Sequence, residues 1–142
     1  MEKCNFENDV KVFGFEVKKF PDGVGEAFEK LVNMISEDVN RSYYGISEMT
    51  EKGISYKATA EEKFAGEAEK YNCEKFTIKK GEYLAVTLHD WRKKTDCIKD
   101  IFMKMMQDNS VDKTQPCIEW YKNDEEMLCM MKENQHKKEL HQ

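Results

Sequence analysis

The chain has 142 residues, of which 39% are hydrophobic and 36% charged, and its formal net charge is −5. This length suits one domain with its own core, and eight Phe, six Tyr and two Trp argue against disorder. The acidic balance disfavours direct nucleic-acid binding, because phosphate binding needs clustered positive charge. We expect a cytoplasmic protein, because no segment approaches the about 20 apolar residues of a membrane span and no apolar signal segment opens the chain.

The cysteine pattern indicates reduced thiols and no metal site. Five cysteines occur, an odd number, and no Cys-x-x-Cys spacing is present. The three histidines, at positions 89, 136 and 141, show no ligand spacing with them. We therefore predict neither disulfides nor a bound metal, and no cofactor.

The first half of the chain has the pattern of a strand, a helix and a hairpin. Residues 10–18 alternate as a strand does, and Pro21 and Gly23 then break it. Apolar residues in 24–36 recur at helical spacing and form one stripe. Two strand-like segments follow, 42–50 and 53–61, with Gly53 at the start of the second. Their short polar connection predicts a hairpin.

The second half repeats this order after a charged, partly helical connector over 61–72. Residues 74–89 are strand-like, with Gly81 marking a bulge or bend, and 91–108 carry a Met-rich stripe at helical spacing. Segments 116–122 and 126–132 then predict a second hairpin.

Two strand-helix-strand-strand units predict a duplicated α+β fold. We expect a single domain over 1–142, with a core of about 8–132, halves of about 8–62 and 72–132, and a polar tail at 133–142. Neither half has enough layers to stand alone, so the two are expected to share one antiparallel sheet with both helices on one face. A groove along the pseudo-twofold axis is then free to bind a ligand.

The segment Pro-Cys-Ile-Glu-Trp-Tyr-Lys (116–122) contains the acidic residue of most interest. Alternation places Glu119 on the same strand face as Cys117 and Tyr121. A carboxylate in an apolar setting costs on the order of 2–7 kcal/mol unless it has a partner. Either this face is solvated, or Glu119 pairs with a lysine across the hairpin, or the carboxylate has a function.

Four aromatic residues could meet Glu119 if the two halves converge: Tyr44, Tyr83, Trp91 and Tyr121. An aromatic pocket with one carboxylate favours flat or cationic ligands, since each cation–π contact contributes about 0.5–2 kcal/mol. A carboxyl whose pKa is raised by desolvation could instead act as a general acid or base. The tyrosines could equally be packing residues, and Trp91 could cover the second helix.

These features together resemble the gyrase-inhibitor-like (GyrI-like) domain, the effector-binding domain of bacterial multidrug-responsive transcription regulators, which is related to the SOUL fold. The resemblance covers about residues 8–132 and rests on the duplicated order of elements and on four features of the sequence. These are Tyr-Tyr-Gly-Ile-Ser (43–47), Lys-Lys-Gly-Glu-Tyr-Leu-Ala-Val (79–86), Trp91 at the predicted helix start, and the segment 116–122.

The resemblance implies a pocket for lipophilic, cationic small molecules. Glu119 matches the family's central glutamate, and the aromatic positions are matched by Tyr121, Tyr83, Trp91 and Tyr44. It also implies two alternatives: a hydrolase of cyclopropane-bearing toxins, with Glu119 and Tyr121 catalytic, or a protein that modulates gyrase. Whether the chain is an enzyme stays open, and a binding module is favoured. No DNA-binding segment precedes residue 10, so we expect any regulatory role to need a separate DNA-binding chain. A haem role is disfavoured because no histidine matches a pocket position.

Overall fold

The computed structural model describes residues 1–35 and 40–134. The strands are β1 (Glu2–Phe6), β2 (Val10–Glu16), β3 (Tyr43–Thr50), β4 (Gly53–Glu61), β5 (Glu74–Ile78), β6 (Gly81–His89), β7 (Cys117–Tyr121) and β8 (Glu126–Lys132). The helices are α1 (Val24–Met34), α2 (Glu67–Lys70) and α3 (Ile98–Met105), with short 3-10 turns at Trp91–Lys93 and Thr95–Cys97. None of the helices in the described ranges combines the length and apolar character needed to cross a bilayer.

All eight strands form one antiparallel sheet in the order β1-β6-β8-β7-β3-β4-β2-β5. The order reads symmetrically about the border between β3 and β7. One unit, β2-α1-β3-β4, lies on one side of this border, and the other, β6-α3-β7-β8, lies on the opposite side. The predicted α+β class, the duplicated unit and the shared sheet are confirmed.

Both long helices pack on the same face of the sheet, as predicted. Leu31 of α1 is fully buried in a cluster with Tyr56 and Ala58 of β4. Phe102 and Met105 of α3 pack with buried side chains of β7 and β8. Apolar side chains from successive helical turns form these contacts, so burial of the two stripes attaches the helices to the sheet.

The other face of the sheet curls around a second core. This core contains residues from strands that lie far apart in the strand order, such as Val12 of β2 and Tyr83 of β6. Only Lys79 and Lys80 connect β5, at one edge, to β6, next to the opposite edge. So short a link is possible because the sheet curls into a half-barrel whose edges approach each other at this point.

Three boundaries differ from the sequence predictions. Residues 2–6 form strand β1, which lies outside the predicted core of 8–132. Of the two alternatives for the segment 74–89, the bulge is wrong: the chain bends before Gly81, and the segment forms two strands at distant places in the sheet. The second helix begins at Ile98 instead of residue 91, because the preceding residues form 3-10 turns.

The connector between the halves is held by a buried ion pair. Arg41, just before β3, donates two hydrogen bonds to the carboxylate of Glu67 in α2, at 3.1 and 2.9 Å. The same carboxylate accepts hydrogen bonds from the backbone N–H groups of Lys63 and Phe64. The partly helical connector predicted over 61–72 is confirmed, and this pair fixes it to the sheet.

The predicted polar tail lies mostly outside the described residues. Its first two residues are bonded to the rest of the fold: Glu133 forms a bridge with Val111, and the Asn134 N–H donates to the Ser110 carbonyl. Residues 135–142 are not described.

Candidate functional site

The candidate site lies where the two halves meet, on the face that carries the helices. Glu119 sits in β7 directly opposite Gly45 of β3 and Cys129 of β8. Gly45 is therefore the pseudo-twofold counterpart of Glu119. The axis carries one carboxyl group in place of a symmetric pair.

Two tyrosine hydroxyls, one from each half, bind the same oxygen of Glu119. Tyr56 Oη donates to Oε1 at 2.8 Å, and Tyr121 Oη donates to Oε1 at 2.6 Å. The other oxygen, Oε2, receives no hydrogen bond from the described residues and is not sealed from solvent. One oxygen therefore holds the carboxyl group in place, and the second is available to a ligand or to water.

Gly45 provides the space through which Tyr56 reaches Glu119. A Cβ atom at residue 45 would lie 2.0 Å from Tyr56 Oη and 2.8 Å from Glu119 Oε1. Both distances are too short for non-bonded atoms. The missing side chain at the symmetric position is thus what allows a first-half tyrosine to bind a second-half carboxyl group.

Aromatic rings surround the two tyrosines. Phe20 stacks on Tyr56, with centroids 4.8 Å apart and an interplanar angle of 7°. Phe28 of α1 meets Tyr121 edge to face at 5.4 Å, and Trp91 meets Tyr121 at 4.8 Å. Glu119, Tyr121, Phe28 and Trp91 all keep partial exposure. We call the partly exposed surface formed by these four residues the groove.

The surroundings of Glu119 disfavour its charged form. Burial raises the pKa of Glu119 above its ordinary value, and the hydrogen bonds from Tyr121 and Tyr56 only partly oppose this. Burial and the neighbouring carboxylate also raise the pKa of Tyr56 and of Tyr121 well above their usual range. Both hydroxyls are therefore protonated donors at neutral pH.

Two buried thiols complete the floor of the groove. Burial is the main cause that raises the pKa of Cys117 to about 11 and that of Cys129 to about 12, and the Glu119 charge adds to both shifts. The thiolate is the reactive form of cysteine. These thiols are therefore protonated and poor nucleophiles at neutral pH.

We expect iodoacetamide to distinguish these thiols from Cys97, which is exposed. At neutral pH in the folded protein Cys97 should be alkylated, whereas Cys117 and Cys129 should react only after guanidinium unfolding. Peptide mass spectrometry with and without denaturant measures this. Alkylation of Cys117 in the folded protein at the rate of Cys97 would contradict the burial described above.

Only some of the predicted site residues lie close together. Glu119, Tyr121 and Trp91 are in contact or share contacts at the groove. Tyr44 and Tyr83 each have 3% exposure and belong to the core on the other face of the sheet. The expected convergence of all four aromatic residues on Glu119 is therefore not found, and Tyr44 and Tyr83 cannot touch a ligand at this carboxyl group.

The structure adds three residues that the sequence analysis did not select: Phe20, Phe28 and Tyr56. A signal for Tyr56 was present. The two-residue turn between Thr50 and Gly53 sets the hairpin register, which pairs Tyr56 with Ser47 and so places the tyrosine on the same face as Gly45, two residues along the strand. A tyrosine close to a glycine at the duplication axis can extend its side chain across the axis, because the glycine leaves space for it.

Other concave surfaces lie elsewhere on the molecule. One of about 420 Å³ borders the β1–β2 connection and Glu61, and one of about 360 Å³ lies between the end of β2 and the start of α1. Neither includes Glu119 in its lining. Within residues 1–35 and 40–134, no group of three or more His, Cys, Asp or Glu side chains is placed to hold a metal ion.

Fold and site together define a small α+β domain with a half-barrel sheet, two helices on one face and a single carboxyl group between aromatic rings. Comparison of the sequence with protein-family models and with characterised proteins finds no match. Solved structures, in contrast, include several with this fold.

Three of these structures illustrate the range of proteins that share the fold. An integron cassette protein from the mobile metagenome of Vibrio cholerae matches with a TM-score of 0.70 and 12% identity, over 94% of this chain and 95% of its own. A protein solved with bound tetraphenylphosphonium matches with a TM-score of 0.69 and 9% identity, over 99% and 97%. A candidate transcription regulation protein from Staphylococcus aureus matches with a TM-score of 0.60 and 11% identity, over 92% and 97%. At identities this low, the matches show that the fold is shared and nothing more.

Proposed function

We propose that this protein binds a lipophilic, cationic aromatic molecule in the groove between α1 and the 3-10 turn at Trp91, as a GyrI-like effector-binding or sequestering domain. The observation that carries the proposal is the arrangement around Glu119. Two tyrosine hydroxyls bind its Oε1, its Oε2 receives no hydrogen bond from the described residues, and the rings of Phe28 and Trp91 pack against Tyr121 next to it.

The chemistry of the groove favours a large organic cation over a small inorganic one. A compact ion would lose a strong hydration shell and meet only one carboxylate oxygen that is free. A bulky cation with aromatic substituents is weakly hydrated, and it gains both burial of apolar area and cation–π contacts of about 0.5–2 kcal/mol each. Glu119 then supplies the compensating charge.

The structural comparisons support this class of ligand. One protein of the same fold was solved with tetraphenylphosphonium, a permanent cation with four phenyl groups. Another is a candidate transcription regulation protein, which supports a role in which ligand binding is reported to a partner. Such a partner would be a separate DNA-binding chain, or gyrase.

Ligand entry requires the aromatic rings to separate. Phe28 and Trp91 both contact Tyr121, so the groove over Glu119 is narrow while these contacts persist. We expect the ligand to replace ring–ring contacts with ring–ligand contacts of similar area. Most of the net affinity then comes from the charge and the added burial.

Tryptophan fluorescence tests the proposal directly, because the two tryptophans lie on opposite faces of the sheet. Trp91 borders the groove, whereas Trp120 packs in the other core. Titration with tetraphenylphosphonium is expected to quench the parent. The quenching should persist in Trp120→Phe and disappear in Trp91→Phe.

The Glu119→Gln variant then tests the charge. At a pH where Glu119 is ionised in the complex, its affinity for tetraphenylphosphonium is expected to fall about 10- to 100-fold, as for loss of a partly desolvated ion pair. Glu48→Gln removes an exposed carboxylate of β3 and serves as the matched control, with affinity unchanged. Equal affinities for the parent and Glu119→Gln would remove the proposed function.

A further inference from the structure

Within residues 1–35 and 40–134, no positive charge acts on the carboxyl group of Glu119 in the groove. Tyr56 of β4 and Tyr121 of β7 contact Glu119 directly, and Cys117 and Cys129 share its face of the sheet. The rings of Phe28 from α1 and Trp91 from the 3-10 turn after β6 pack on Tyr121, and β3 contributes Gly45 and Tyr43. Each of these side chains is neutral in its ordinary state at neutral pH.

The charged side chains of the neighbouring elements are exposed or already paired. On α1, Glu26, Glu29 and Lys30 are exposed, and Lys30 lies over the Phe15 ring. Arg92 lies over the Trp91 ring, 4.7 Å from its centroid, and its charge is balanced by Asp124, with which it pairs at 2.8 Å. Tyr121 and Tyr56 are the hydrogen-bond donors to the carboxyl group, and both donate to Oε1. An ionised Glu119 would therefore hold a net charge in a desolvated groove.

We infer that the empty groove holds Glu119 as a neutral acid with its proton on Oε2, and that a lipophilic cation displaces this proton when it binds. This inference rests on the proposed function and adds its regulation. The exchange is balanced: one carboxylic acid and one cation give one carboxylate–cation pair and one proton released to solvent. No bond other than the O–H bond is broken.

The tyrosine arrangement explains why Oε2 is the protonated oxygen. Oε1 already accepts two hydrogen bonds, at 2.8 and 2.6 Å, and so acts as an acceptor. Oε2 has no donor among the described residues and is not fully buried. A proton there can be donated to a ligand, and its loss leaves the anion where a cation would lie. Burial, which raises the pKa of Glu119, supports the same assignment.

Two ligand classes with opposite pH dependence follow. A cation competes with the proton, so its apparent affinity should rise about tenfold for each pH unit while Glu119 is protonated in the free protein, and then level off. A neutral aromatic molecule with a strong hydrogen-bond acceptor needs the proton. Its affinity should therefore be level while Glu119 is protonated and should fall at the higher pH where the affinity of the cation has levelled off.

Calorimetry with tetraphenylphosphonium tests the exchange, because this cation does not titrate. Titrations between about pH 5 and pH 9, each in two buffers of different ionisation enthalpy, give the number of protons released. We expect about one proton per bound cation at the low end and none at the high end. Glu119→Gln should release none at any pH. Triphenylphosphine oxide, neutral and an acceptor, should bind more weakly as the pH rises.

A ligand-free measurement separates this inference from the proposed function. In protein labelled with ¹³C at glutamate side chains, the Glu119 carboxyl signal, assigned by its absence in Glu119→Gln, should titrate above the ordinary value of about 4.3. Titration at the ordinary value, or cation binding without proton release at any pH, would overturn the inference and leave the proposed function intact. A raised titration without any cation binding would overturn the proposed function, and with it the exchange.

Discussion

The Arg41→Met variant is expected to unfold with a free energy about 3–5 kcal/mol lower than that of the parent. Arg41 and Glu67 are 7% and 3% exposed, and two hydrogen bonds join them. Removing the guanidinium leaves the Glu67 carboxylate buried with only backbone N–H partners. Methionine keeps most of the apolar stem, so the loss reports the charge and not a cavity. Guanidinium unfolding followed by circular dichroism measures it.

The chain's other arginine provides the matched control. Arg92 pairs with Asp124 on the surface, where both side chains are largely solvated. Arg92→Met should therefore cost no more than about 1 kcal/mol. The double variant Arg41→Met/Glu67→Leu should recover much of the loss, because it removes the unpaired charge. Equal effects of Arg41→Met and Arg92→Met would mean that the buried pair does not hold the connector.

The same pair predicts how stability depends on acid. Burial alone would raise the pKa of Glu67, but hydrogen bonds from Arg41 and from two backbone N–H groups outweigh it and hold the pKa below its ordinary value. The unfolded chain therefore binds this proton more readily than the folded one. The contribution is present above the ordinary value of about 4.3 and is lost as the pH falls through the lowered one.

Gly45→Ala is expected to disrupt the candidate site, because it adds a methyl group where Tyr56 contacts Glu119. The new Cβ would lie 2.0 Å from Tyr56 Oη and 2.7 Å from Cζ of the same ring. Tyr56 is 1% exposed and stacks on Phe20, so it has little room to move. We expect a loss of about 1–3 kcal/mol in stability from overpacking, and loss of the hydrogen bond to Glu119.

Binding separates this effect from general destabilisation. With one donor fewer, the carboxylate of Glu119 is less stabilised, and its affinity for tetraphenylphosphonium should fall at a given pH. Gly25→Ala, in helix α1, is the control, since a Cβ atom at residue 25 would meet no neighbouring atom within 4 Å. It should leave binding unchanged and raise stability by up to about 1 kcal/mol. Binding equal to that of the parent in Gly45→Ala would show that the Tyr56 hydroxyl is not needed.

The local elements could be predicted because each has a periodicity of its own. The hairpins on either side of the axis and the stripe of α1 were readable from alternation and helical spacing. Alternation also placed Glu119 correctly relative to Tyr121 within one strand. These inferences need no knowledge of distant parts of the chain.

Tyr44 and Tyr83 could not be placed by the same reasoning. Alternation assigns residues to two faces within a strand, but it does not say which face of one strand continues which face of another. The pairing of Gly45 with Glu119 turns Tyr44 to the opposite side, where it stacks with Trp120. In the same way, residues 74–89 alternate as one strand, but in the curled sheet β5 lies at one margin and β6 lies next to the strand at the other margin.

The margins of the sheet have a consequence for how the molecule could have originated. β1 precedes the first unit along the chain but pairs with β6 of the second, and β5 precedes the second unit but pairs with β2 of the first. The strand that precedes each unit in the chain thus pairs with the other unit. A shorter polypeptide made of one unit and its leading strand would satisfy the same pairings by forming an intertwined homodimer, with an identical residue from each copy on the axis. Joining two copies in one gene is what permits those residues to diverge, into a glutamate on one side and a glycine on the other.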